Sequence, residues 1–169
     1  MAWLASAGPA LHPRRMQRHS FHSPLGVMML EATDAAITRL YWEAGVVDAA
    51  PAPTALMAQA EAQIAAYFSH DLNVFDLPLV VEGSAFQRAV CAQMSAIPLG
   101  ETRTYGDLAE ALGVPAQAIG QACGGNPIPL IIPCHRVLGA NGLGGFSGSG
   151  GLESKVQLLR HEGAAGLLI

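Results

Sequence analysis

Cys134 and His135 stand side by side in Ile131-Ile132-Pro133-Cys134-His135-Arg136-Val137-Leu138, a thiol and an imidazole at the end of an apolar run. A cysteine reacts through its thiolate, and ionising it needs a base or positive surroundings. His135 is the candidate base. The imidazolium formed in that step needs a carboxylate to orient and stabilise it, and Glu162, in His161-Glu162-Gly163, is placed to do so. Neighbouring side chains of an extended chain point to opposite faces, so direct contact between Cys134 and His135 requires a bent backbone. The reading preferred here is a bridging water that carries the proton. Taken singly, a buried cysteine or histidine is more often a packing residue. The flanks favour chemistry: Asn126-Pro127 leads in, and a Gly/Ser-rich loop over 139–151 follows.

Rigid elements must deliver these groups. Pro133 fixes its own φ and biases Ile132 toward extended geometry, so Leu130-Ile131-Ile132 reads as a short buried strand with Cys134 at its end. Upstream, Ser84-Ala85-Phe86-Gln87 has the capping-box pattern and opens a helix running to about Ala96. Thr104 with Asp107 repeats a cap signal for a helix to Leu112. Gly113-Val114-Pro115 makes a turn, and a second helix runs to Gly124-Gly125. Two short helices across a three-residue turn suggest a helix-turn-helix, although ordinary αα packing has the same spacing.

The first half has a different pattern. Turn signals at Ser23-Pro24-Leu25-Gly26 and Thr33-Asp34 set off Val27–Leu30 and Ile37–Trp42 as antiparallel strands, and a helix over about Thr54–Phe68 offers Leu56, Ala60, Ile64 and Phe68 or Tyr67 to a core. The expected fold class is α+β. A loose tail over 1–18 precedes a strand-rich α+β support domain over 19–82 and a mostly helical domain over 83–169.

The motifs resemble one family in the right order: Gly100-Glu101-Thr102-Arg103-Thr104-Tyr105-Gly106, Asn126-Pro127, Pro133-Cys134-His135-Arg136-Val137, Gly145-Phe146-Ser147-Gly148 and His161-Glu162-Gly163. They resemble the O6-alkylguanine-DNA alkyltransferases, and a weaker likeness reaches back through Phe75–Leu79 to His22–Gly26. The resemblance implies a ribonuclease H-like first domain and a winged-helix-like second one. It implies irreversible, single-turnover transfer of an alkyl group from a flipped base to Cys134, with His135, Glu162, Asn126 and Tyr105 as catalytic residues. It places Val137, Arg136, Phe146 and Ser147 on the substrate. DNA would be met through the minor groove by Thr104, Gln117, Ala118, Gly120, Gln121 and Gly124. The small residues Ala118, Gly120, Ala122, Gly124 and Gly125 suit a close approach to DNA and tight packing equally.

Two departures stand out. The family's second helix carries an arginine that fills the gap left by the extruded nucleotide, and here the matching position is Gln117, which lacks the charge and planar stacking surface. The loop Gly145–Gly151 is about two residues longer than the family pattern, which suggests room for bulkier alkyl groups.

Composition sets the remaining bounds. With 169 residues, 51% hydrophobic and 13% charged, the chain is long enough for one sizeable domain or two small ones. No apolar stretch approaches the roughly 18 residues of a membrane span. Three cysteines without a Cys-x-x-Cys pair suit a reducing cytoplasm. Cys91 and Cys123 read as packing residues, and His12, His19, His22 and His70 as surface residues. Residues 1–81 hold no cysteine, so no zinc site is expected there. No nucleotide-binding glycine pattern occurs and the damaged base brings its own alkyl group, so no cofactor is expected.

The net charge of −4 argues against holding nucleic acid by charge alone. Residues 82–169 carry five basic side chains, Arg88, Arg103, Arg136, Lys155 and Arg160, against six acidic ones. Weak, salt-sensitive binding to alkylated double-stranded DNA by a monomer is the expectation. Two rivals remain: a sensor that binds the lesion without reacting, and a Cys-His-Glu hydrolase.

Overall fold

A computed structural model describes residues 15–44, 52–148 and 150–164. They form two compact units that divide between Val80 and Val81. Among the described residues no helix is long and apolar enough to cross a membrane.

The first unit is built on an antiparallel sheet in the order β1 (Gln17–Ser23), β2 (Gly26–Ala32), β3 (Ile37–Trp42). Two of these strands are expected from the sequence. The third, β1, has only Phe21 as an apolar inward residue in Gln-Arg-His-Ser-Phe-His-Ser, too little alternation to mark a strand. It takes in Gln17 and Arg18, which pair with Ala32 and Glu31 and so belong to the sheet and not to a tail. The earlier tail residues, 1–14, lie outside the described residues. β2 alternates cleanly, with Met28, Leu30 and Ala32 fully buried, and its outward Glu31 is buried under Arg18 at 3.0 Å and the Tyr41 hydroxyl at 3.3 Å.

Helix α1 (Ala55–Phe68) starts at Thr54, whose hydroxyl accepts the Met57 N–H at 3.3 Å. Its buried stripe is Met57, Ala60, Ile64 and Tyr67, not Leu56 and Phe68. Ala60, Ile64 and Tyr67 fall on the expected stripe; only Leu56 gives way, to Met57, because a methionine and a leucine at adjacent positions fit the helical period equally well. Burying each large apolar side chain contributes about 1.5–3 kcal/mol.

In the second unit, α2 (Ala85–Ser95), α3 (Tyr105–Leu112) and α4 (Ala116–Gly124) pack against one another over Val90, Cys91, Met94, Leu108, Ile119 and Cys123. Thr104 and Asp107 close a full capping box, with N–H···O distances of 3.1 and 2.6 Å. At α2 only half of one forms: Ser84 accepts the Gln87 N–H at 3.0 Å, but the Gln87 amide reaches across to the Ala122 carbonyl in α4 at 2.8 Å. Gly113 ends α3 at φ 65°, a left-handed geometry that an L side chain would resist. A two-residue strand β4 (Arg103–Thr104) pairs in parallel with β5 (Val137–Leu138), which sets the start of α3 beside the Cys134 segment. The unit closes with α5 (Leu152–His161).

The strand expected over Leu130–Ile132 does not form. Leu130 takes φ 73° and the Ile132 N–H turns back onto the Ile128 carbonyl at 2.9 Å, so the apolar run is a buried turn. A run of three apolar residues fits either form.

Candidate active site

Cys134 sits on a sharp bend. Pro133, at φ −82° and ψ 68°, closes an inverse γ-turn in which the Cys134 N–H donates to the Ile132 carbonyl at 2.9 Å, and Cys134–Arg136 follow as one turn of 3₁₀ helix. Asn126 holds this turn together: its amide donates to the Ile132 carbonyl at 2.8 Å while its oxygen accepts the Ile128 N–H at 3.1 Å. The same Asn126 side chain reaches the Cys134 sulfur, as do the backbone N–H groups of Cys134 and His135. Burial pushes the thiol's pKa up; the Asn126 contact, the charge of Lys155 and the two backbone donors oppose it. At rest Cys134 is a protonated thiol, surrounded by groups that favour the thiolate once its proton has somewhere to go.

The backbone is bent, and still no hydrogen bond joins the sulfur to the imidazole. His135 is fully buried, and its Nε2 meets Glu162 Oε1 at 2.7 Å. Arg136 doubles onto the same carboxylate, Nε to Oε2 at 2.8 Å and Nη2 to Oε1 at 2.9 Å, and its Nη1 donates to the Ile97 carbonyl at 2.6 Å. Burial alone would raise the Glu162 carboxyl, but hydrogen bonds from His135 and Arg136 and their charges bring it down to about 2. Burial lowers His135, against the pull of Glu162, and the cations Arg136 and Lys155 lower it further. A neutral His135 donating Nε2–H to an ionised Glu162 leaves Nδ1 as a bare lone pair. That atom is buried and has no hydrogen-bond partner among the described residues. A lone pair of that kind is able to accept a proton.

A cavity of about 420 Å³ opens over the sulfur. Tyr105, Phe146 and Ser147 form its polar and aromatic walls, and Gly120, Gly124 and Cys123 its α4 side. Burial raises the Tyr105 phenol, as do the nearby thiols Cys123 and Cys134, while a hydrogen bond from the Gly145 backbone N–H lowers it. A phenol has one O–H donor, and Tyr105 lines the cavity. Gly144, at φ 69°, fits under the ring so closely that a Cβ there would lie 2.8 Å from the Tyr105 ring edge.

The structure therefore brings Cys134, His135, Asn126, Glu162, Tyr105, Phe146 and Ser147 into one site. Gln117, Gln121 and Gly124 are exposed on α4, with Gly120 and Ala118 partly so, and Thr104 is half-buried in its capping box. Arg136 is placed differently from the expectation: its guanidinium is taken up by Glu162 and Ile97, behind the cavity. Val137 is fully buried, and only its carbonyl is relevant here.

Comparison with known proteins decides the family. The description "6-O-methylguanine DNA methyltransferase, DNA binding domain" matches residues 85–164. A methylated-DNA–protein-cysteine methyltransferase of Mycolicibacterium paratuberculosis is 42% identical over 148 residues, 83% of this chain and 88% of the relative. One of Methanosarcina acetivorans is 39% identical over 152 residues, 85% of this chain and 96% of the relative. The chain belongs to the methylated-DNA–protein-cysteine methyltransferase family.

Solved methyltransferases share the fold. The Mycobacterium tuberculosis OGT crystallised in complex with DNA aligns at a TM-score of 0.75 and 36% identity, over 86% of this chain and 92% of that one. An O6-methylguanine DNA methyltransferase from Methanococcus jannaschii aligns at 0.63 and 27%, over 89% of this chain and 96% of that one. This member of the family has site features that its sequence alone did not disclose. Cys123, read as packing, lines the cavity; burial pushes its thiol up to about 12, so it does not compete as a nucleophile at neutral pH. Cys91 is buried, with its thiol pushed up to about 11. Lys155 is fully buried, and the one sequence signal was its place on the apolar stripe of α5, three and four residues before Leu158 and Leu159. His19, expected at the surface, is tied to Glu61 at 2.6 Å with its side chain 12% exposed, while His22 and His70 are exposed and His12 lies outside the described residues.

Proposed function

We propose that this chain repairs O6-alkylated guanine in double-stranded DNA by direct reversal, taking the alkyl group onto Cys134 in a single turnover, and that O4-alkylated thymine is a further substrate. The observation that carries the reading is the cavity floor, where a buried thiol backed by Asn126 lies beside a histidine whose unpartnered Nδ1 is set by an ionised Glu162.

His135 Nδ1 takes the thiol proton through one water, and the imidazolium is held by Glu162. The thiolate attacks the alkyl carbon; an S–C bond forms as the C–O6 bond breaks. The electrons on the leaving guanine are met by a hydrogen bond from the Tyr105 hydroxyl to its ring, and the base leaves with one proton added. Overall a thiol and an alkylguanine become a thioether and guanine, so no cofactor is required. Nothing in the site cleaves a thioether, and the protein is consumed.

Extruding a base from a duplex costs a few kcal/mol. The exposed face of α4, with Gln117, Gln121 and Gly124 and the half-exposed Gly120 and Ala118, supports a minor-groove approach in which small residues let the helix come close. In this reading Phe146 and Ser147 line the flipped base, the Val137 carbonyl accepts its exocyclic amine, and Thr104 fixes the start of α3 at the DNA. Gln117 stands where an arginine would fill the vacated stack, which makes flipping slow. The protein acts as a monomer in the cytoplasm, where its thiol stays reduced. The first unit is read as ribonuclease H-like and the second as winged-helix-like, with α3 and α4 as the helix-turn-helix and β4 with β5 as a minimal wing.

Intact-protein mass spectrometry with peptide mapping, after incubation with duplex DNA carrying one O6-methylguanine, tests the reading. A gain of one methyl group on Cys134 is expected. Binding of the lesion with no change of mass would instead identify a sensor, and ester turnover without DNA a hydrolase.

A further inference from the structure

Asn141 and Gly142 lie exposed at a tight turn beyond β5: Gly139 and Gly142 are bridged antiparallel, and Ala140 and Asn141 close the turn between them. Gly142 offers no side chain to shield its nitrogen from the neighbouring carboxamide, and the space where a Cβ would stand is open. The chain's two other asparagines lack this arrangement. Asn126 is buried, both ends of its amide are bonded, and Pro127 after it has no N–H. Asn73 is followed by Val74, whose β-branched side chain crowds the nitrogen.

The turn leads within two residues to Gly144 and Gly145, which hold Tyr105: Gly144 lies under the ring, and the Gly145 N–H donates to the phenol. Its limbs pass each other closely. A Cβ on Gly139 would lie 3.2 Å from the Gly142 carbonyl oxygen and 3.7 Å from the Gly144 nitrogen, and a Cβ on Gly144 would lie 3.2 Å from the Gly139 nitrogen. Both flanks are anchored, because the buried Lys155 ammonium donates to the Val137 carbonyl at 2.6 Å and to the Gly145 carbonyl at 3.0 Å. Any length added to the turn must therefore be taken up between these anchors, where Tyr105 is held.

We propose that Asn141-Gly142 is a self-modifying site at which the chain ages to isoaspartate, and that, resting on the alkyl-transfer reading above, the product misplaces Tyr105 and slows repair. The Gly142 nitrogen attacks the side-chain carbonyl carbon of Asn141. An N–C bond forms, the C–N bond of the carboxamide breaks, and ammonia leaves with the Gly142 amide hydrogen. The succinimide takes up one water at either of its carbonyls. Opening at one gives aspartate on an ordinary backbone; opening at the other gives isoaspartate, in which the backbone runs through the side-chain carbons and is longer by one C–C bond, about 1.5 Å. Overall, asparagine and water become aspartate or isoaspartate and ammonia, with no oxidant or cofactor. A protein consumed in one turnover waits unreacted until a lesion arrives, so slow chemistry of this kind limits how long it stays competent.

The full-length wild type and Asn141→Ser are held warm at mildly alkaline pH and sampled over days by peptide mapping. In the wild type the Asn141 peptide is expected to gain the mass difference between oxygen and NH, and to become a substrate for an isoaspartate-specific methyltransferase, while the Asn73 and Asn126 peptides stay unchanged. The isoaspartate fraction, separated by ion exchange, is expected to transfer methyl from saturating O6-methylguanine duplex about tenfold more slowly than fresh protein. Asn141→Ser should keep its rate throughout. Fresh Asn141→Asp, which carries the charge without the longer backbone, should stay within about twofold of the wild type.

An Asn141 peptide that stays unmodified, or an isoaspartate fraction as fast as fresh protein, overturns the inference; an Asn141→Asp variant as slow as that fraction overturns the role given to backbone length. A DNA-free arm compares the Tyr105 ring resonances, assigned with Tyr105→Phe, in the fresh and isoaspartate forms by NMR, and a shift is expected. Fresh wild type that accepts no methyl but shows the modification and the shift would refute the repair reading and leave the ageing site standing.

Discussion

Gly144 shows how tightly single residues set this site. An alanine there must hold φ near 69°, which costs about 1–2 kcal/mol for an L side chain, and its Cβ would lie 2.8 Å from Tyr105 Cε2 and 3.0 Å from the phenol oxygen. The ring is the movable partner, so Gly144→Ala is expected to turn Tyr105 away from the cavity. Single-turnover methyl transfer at saturating lesion DNA should then slow by about tenfold or more, roughly 1.4 kcal/mol of barrier, with little change in DNA affinity. An unchanged rate would mean that the phenol's placement does not limit transfer. Gly144 was invisible in the sequence, because its close approach to Tyr105 is a contact made across the fold. Cys134, His135, Asn126 and Glu162 were legible because their types are chemically restrictive and their motifs are short and ordered. Arg136 was misplaced, since adjacency to Cys134 says nothing of the direction in which a long side chain runs.

At the scale of elements, caps gave the helices away. Thr54, Ser84 and Thr104 each accept the N–H three residues on, and α3 and α4 lie where their cap signals and the Gly113–Pro115 turn put them. The buried turn at 128–132 was not legible, since only Asn126 and its bonds to Ile128 and Ile132 distinguish it from a strand. Gln87 carries an analogous tertiary message. Helix α4 has nine residues, too short to be stable alone, and its last carbonyls lack helical partners. The Gln87 amide satisfies one of them, on Ala122, at 2.8 Å. Gln87→Ala is expected to destabilise the protein by about 1 kcal/mol and to lower Tm by a few degrees. Hydrogen exchange should quicken at Cys123–Asn126, next to the segment that carries the nucleophile. A lower Tm with unchanged protection there would place the loss in α2 and not in α4.

For the whole molecule, the balance of charge decides how it can hold DNA. Of the five cations in residues 82–169, Arg136 and Lys155 are buried and engaged, which leaves Arg88, Arg103 and Arg160 exposed. If the second unit alone meets the duplex, at most three phosphates are neutralised by side chains. The slope of log affinity against log salt should then be no steeper than about −2.7, at about −0.9 per contact. Binding is then weak in absolute terms and less sensitive to salt than the sequence reading expected, because two of the five cations are buried. Affinity must come instead from shape, backbone donors and the captured base. Gln117→Arg tests this directly, because Gln117 is exposed on α4 where the vacated stack is expected. If the new guanidinium enters the stack beside the backbone, the slope should steepen by about 0.9, lesion binding should tighten, and methyl transfer at limiting protein should quicken. A steeper slope with an unchanged transfer rate would show the arginine meeting phosphate only, and would separate the electrostatic handicap of this chain from any handicap in extruding the base.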